Sequence, residues 1–124
     1  MGLDRTIRFP TDDTPSWEAI RLQLSRLGLS PSLRLIDGLP AFPDESPGEE
    51  WKELRIGTDG GMVTLRRDSG SINCVIWGNA DAALETAWLK VIWACASSGD
   101  GVIDLAGSAV SPEQFARSVG LSPE

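Results

Sequence analysis

The side chains able to do chemistry in this chain are few, and the missing types narrow the field first. There is no histidine and no tyrosine, which removes the commonest general base, the imidazole metal ligand and the phenolic acid. A serine nucleophile would then need a lysine or a carboxylate as its base. The lysines are Lys52 and Lys90, and neither stands in an S-x-x-K arrangement. Cys74 and Cys95 have no CxxC spacing and no histidine beside them, so they read as reduced, inert core thiols rather than zinc ligands or a redox pair. The stretches GTDGG (57–61) and SSGDG (97–101) precede strands and lack a following G-K-[ST], which makes them turns and not phosphate loops. DESPGEE (44–50) lacks the spacing of a calcium loop. No catalytic residue, cofactor site or metal site is expected.

One group of residue types could hold a ligand. Arg55, Arg66 and Asn73, with Trp77 beside them, fall on one face of a predicted sheet, and guanidinium forks bind carboxylate or phosphate bidentately. The competing reading of the same face is a cross-strand ion pair between Glu53 and Arg66.

The charge balance points elsewhere. Eleven basic residues are scattered among eighteen acidic ones, for a net charge of −7, which excludes a nucleic-acid partner and suits either solubility or a basic protein partner. No apolar run approaches the ~20 residues of a membrane helix, and the opening MGLDRTIRFPTDD has no signal-peptide core. A cytoplasmic protein with no membrane partner is expected.

The elements that must position these groups are well punctuated. A short strand at 6–9 precedes a helix predicted over 15–27, with Thr14 as N-cap, Pro15 at the first position and Gly28 as terminator. Along that helix Trp17, Ile20, Leu24 and Leu27 form one stripe. SLRLI (32–36) reads as the next strand. Residues 38–50, GLPAFPDESPGEE, are too rich in proline and acid for helix or central strand. They are expected to form a loop, pinned by Leu39 and Phe42, that serves as an irregular connection or an acidic partner contact. From 51 to 77 the pattern has period two and predicts a three-stranded meander, with a type I′ turn at Asp59-Gly60 and a second tight turn at Ser69-Gly70. That register pairs Ile56 with Val63, Leu54 with Leu65, Leu65 with Cys74 and Thr64 with Val75.

A second helix is predicted from a cap at Asn79 to about Ser97, then a strand over 102–105. The last helix carries Ser111 as cap, Pro112 at the first position, a capping box with Gln114 and Gly120 as terminator. On the second helix an arc of about 140° collects Ala80, Ala83, Leu84, Ala87, Trp88, Val91, Ala94 and Cys95 as the core face. Leu89, Ile92 and Trp93 form a second apolar stripe on the reverse. It must be covered by the last helix, by the 38–50 loop or by another chain, and it is the expected interface.

These readings describe a single α+β domain over residues 1–124. It has a largely antiparallel, single-layer sheet of about five or six short strands in the order β-α-β-β-β-β-α-β-α, with two main helices and a short C-terminal one. The expected function is non-enzymatic: an interaction domain or homo-oligomer of adaptor or immunity type. The alternative is a small-molecule binder or carboxylate-based enzyme using the outer sheet face.

Overall fold

The computed structural model describes residues 2–78 and 80–123. Along them run β1 (Leu3–Arg8), α1 (Trp17–Ser25), β2 (Ser32–Ile36), β3 (Leu39–Pro40), β4 (Glu53–Thr58), β5 (Gly61–Asp68), β6 (Ser71–Ile76), α2 (Ala82–Ser98), β7 (Val102–Leu105), β8 (Ser108–Val110) and α3 (Pro112–Val119). The strands form one eight-stranded sheet in the order β3-β2-β4-β5-β6-β1-β7-β8, and every pairing is antiparallel. The chain is thus α+β with an antiparallel sheet, as the sequence pattern indicates. The expected count of five or six strands is too low. The two extra ones, β3 and β8, have two and three residues, too short to show a periodicity, and pairing at the sheet edges alone defines them.

The meander keeps the expected register: Leu54 faces Leu65, Ile56 faces Val63, Leu65 faces Cys74 and Thr64 faces Val75. Its first turn is not type I′. Neither Asp59 nor Gly60 takes the positive φ that such a turn requires, which falls instead at Gly61 (134°). The Thr58 hydroxyl explains the difference, because its oxygen accepts from the backbone N–H groups of Gly60 and Gly61, both at 3.1 Å, a local bond that competes with the standard turn.

Alternation sends Ile7, Leu54, Ile56, Val63, Leu65, Ile72, Cys74, Ile76 and Ile103 into one core shared with Trp17, Ile20 and Leu24 of α1, the buried positions of α2, and Phe115 and Ala116 of α3. All three helices therefore lie on one side of the sheet, giving two layers where a single-layer sheet with two main helices was expected. Val75 is buried yet stands outside that core, which marks the opposite face, where no helix packs.

The helix starts are set by local hydrogen bonds. α1 begins later than predicted, with Ser16 as N-cap accepting from Ala19 N at 3.2 Å. The hydroxyl of Thr14 accepts instead from Arg67 Nη1 at 3.3 Å. The cap expected at Asn79 lies outside the described residues; α2 starts at Ala82, and Asp81 accepts from Leu84 N at 2.9 Å. α3 matches its prediction in full, with Ser111 and Gln114 forming the capping box and Gly120 left-handed at φ 77°.

Candidate binding cleft

The residues singled out from sequence separate into two groups. Ile92 and Trp93 are buried within the chain, at 0% and 4% exposure, and Leu89 is half-buried. α2 runs between α1 and α3, and from Val91 to Ala96 it is buried on every side. Of the expected interface, Ile92 and Trp93 are thus covered within the chain, and Leu89 keeps part of its surface. The predicted core arc is also shorter than expected: Ala83 is exposed and Ala80 and Leu84 are half-buried, because the start of α2 packs against the Gly60–Gly61 turn rather than over the centre of the sheet.

Arg55, Arg66 and Trp77 do meet on the outer sheet face. The two guanidinium carbons lie 5.4 and 5.1 Å from the Trp77 ring centroid, and Arg66 Nε also donates to Glu53 Oε2 at 3.1 Å. Thr64 and Val75 of the same face are 1% and 6% exposed although no helix covers them. Asn73 is turned to another partner, donating from Nδ2 to Thr6 Oγ1 at 2.9 Å. The cations of this face already have partners within the chain.

A wide cleft lies elsewhere, between three connections that come together beside the N-terminus of α1. It is lined by residues 12–14 and 16–18 before and within α1, by 46–52 before β4, and by Arg67, Asp68 and Ser69 at the β5–β6 turn, around a volume of about 800 Å³. Asp12, Asp13, Glu18, Glu49, Glu50 and Asp68 stand around it against two cations, Lys52 and Arg67. The net excess of four negative charges is more than half of the chain's seven. Those six carboxylates are exposed, while the tryptophans of the walls, Trp17 and Trp51, are 4% and 3% exposed. Among the described residues no three acidic or cysteine side chains gather closely enough to hold one metal ion. The charge is spread along a rim and suits several separate cationic groups.

Arg67 builds the cleft. Its guanidinium carbon lies 4.4 Å from the Trp51 ring centroid, Nη1 donates to Thr14 Oγ1, and Nη2 donates to the Glu49 carbonyl at 2.5 Å. One side chain from β5 therefore ties the 12–18 segment and the 46–50 loop to the sheet. Burial lowers its pKa from the ordinary value, with the charges of Asp37 and Glu50 opposing; an arginine remains charged regardless. Leu39 and Phe42, expected to pin the long loop, are 69% and 75% exposed. The loop is held instead by Arg67, by the buried Trp51, and by backbone bonds such as Ala41 N to Arg34 O at 3.0 Å.

The start of β4 is fixed by Asp37, whose Oδ1 accepts from Lys52 N at 2.7 Å and Glu53 N at 2.8 Å. Those two bonds, Glu53's first, hold its carboxyl below the ordinary carboxylate range. A depressed pKa means the stabilisation is complete above the unfolded-chain value and fades as pH falls through the folded one. Asp37→Asn keeps an acceptor and tolerates the left-handed φ of 50° but carries no charge. The wild type's advantage in urea midpoint over this variant is expected to shrink between about pH 5 and pH 3. A difference constant across that range would contradict the assignment.

Cys74 and Cys95 face each other with Sγ atoms 4.0 Å apart, both fully buried, and burial raises the Cys74 thiol well above its usual pKa. The acidic cleft is only partly visible in sequence: the 44–50 acids stand together in one loop, but Asp12, Asp13, Glu18 and Asp68 lie far from it along the chain. A signal was present: DDTPSW and EEW each place a pair of acids just ahead of a tryptophan. Comparison with known proteins adds no relative: no family model, curated protein or solved structure matches the chain.

Proposed function

We propose that this protein is a non-enzymatic interaction domain, of adaptor or immunity type, that takes a basic segment of a protein partner into the acidic cleft. The observation that carries this reading is the concentration of exposed carboxylates around a cleft floored by two buried tryptophans and Arg67. Charge complementarity of this kind steers association and selects the partner. The burial of Ile92 and Trp93 leaves self-association through α2 with less support than the cleft. The outer sheet face has less support as a ligand site, because Arg66 is bridged to Glu53 and both arginines lie against Trp77. A cytoplasmic setting accords with two adjacent cysteines that are free thiols, and among the described residues no helix is long and apolar enough to cross a membrane.

The test uses a fluorescent hexa-arginine peptide followed by anisotropy at low salt. Neutralising two rim acids, Asp13→Asn with Glu49→Gln, is expected to weaken binding roughly fivefold. The same change in net charge made at Glu85→Gln with Glu113→Gln, both exposed in the first turns of α2 and α3, should alter it less than about twofold. Equal losses from the two pairs would mean attraction to the whole chain and would refute the cleft.

A further inference from the structure

We infer that the cleft reads the backbone of its partner as well as its charge, through a hydrogen bond from the indole N–H of Trp51 to a main-chain carbonyl of the bound basic segment. This rests on the cleft being the site of a basic partner and goes on to specify what kind of cation it takes. Trp51 is more than nine-tenths buried and lines the cleft, and its Nε1 is the buried side-chain polar atom among the described residues that has no hydrogen-bond partner. Trp88, in the core, shows the ordinary arrangement: its Nε1 donates to the Cys74 carbonyl at 2.9 Å. A buried donor left without an acceptor costs folding stability, and such a group in the wall of a cleft points to an acceptor supplied from outside.

The two requirements select the ligand class. The rim carboxylates call for cationic groups, while an N–H calls for an acceptor, which neither a metal ion nor a polyamine offers. A peptide segment bearing arginine or lysine has both, its side chains reaching the rim while a backbone carbonyl takes the N–H. The ring of Trp51 is already occupied by Arg67 at 4.4 Å, so the indole edge rather than its face is left to contribute. The N–H is shielded in the unliganded chain, so the exposed residues just ahead of it, 48–50, shift locally for a carbonyl to reach the indole edge while Glu49 and Glu50 stay on the rim.

The experiment compares the hexa-arginine peptide with spermine, a cation of similar charge density that has no carbonyl, on the wild type and on Trp51→Phe. Phenylalanine keeps an aromatic ring under Arg67 and removes the donor together with part of the indole's bulk, a loss of packing that both ligands would feel alike. Peptide affinity should fall about fivefold and spermine affinity should stay within about twofold. In parallel, the assigned Trp51 indole N–H resonance of the ¹⁵N-labelled wild type should move downfield with the peptide and stay in place with spermine, a readout independent of whether the variant folds. An unmoved resonance, or equal losses for both ligands, overturns the hydrogen bond while leaving the acidic cleft standing as a site. No peptide binding by the wild type overturns both.

Discussion

Trp93→Ala is expected to lower folding stability by about 3–5 kcal/mol and to leave the sedimentation coefficient unchanged. The ring is 4% exposed, in a stretch of α2 that is buried on all sides from Val91 to Ala96, and the Arg26 guanidinium lies over it at 5.5 Å. Removing it leaves a void between α2 and its neighbours beneath the Arg26 side chain, and close-packed helices collapse only partly into such a space. Urea unfolding of wild type and variant measures the loss, and sedimentation velocity across a range of concentrations measures association. A variant nearly as stable as the wild type but altered in association would return the stripe to an intermolecular role.

Arg67→Ala is expected to cost about 2 kcal/mol, from the loss of a charge-assisted bond to the Glu49 carbonyl, a bond to Thr14 and the stack on Trp51. The estimate is kept low because the side chain is only half-buried and solvent screens part of its contribution. The effect should also be local: with the strut gone, the 46–50 loop loses its tie to β5, and limited proteolysis should cut there faster than in the wild type. Arg67→Lys keeps the charge but not the planar fork that reaches two acceptors, so it should lie between the two. Proteolysis rates unchanged in the alanine variant would show that Trp51 alone anchors the loop.

What the sequence determined by itself was whatever depends on neighbours along the chain or on one turn of pairing. The capping box of Ser111 and Gln114 and the strand at 32–36 were legible from it. So was the meander register that puts Leu54, Leu65 and Cys74 on one face, because hydrogen bonds and side-chain alternation act within a few residues or across one short turn. Where a local signal failed, the partner was distant: Thr14, a good cap by type, bonds to Arg67 from 53 positions away. Tertiary structure alone decided which faces were covered. Two apolar stripes on α2 are compatible with an internal helix or an interface, and with α1 and α3 flanking it Ile92 and Trp93 are covered. β3 and β8 exist because an edge is there to pair with. The acids at 12–13, at 49–50 and at 68 are far apart in the chain, and only the sheet order that sets the β5–β6 turn beside the start of α1 brings them around one cleft. Charge carries no periodicity, so beyond the pair of acids ahead of each of Trp17 and Trp51 the spacing does not place these residues around one cleft.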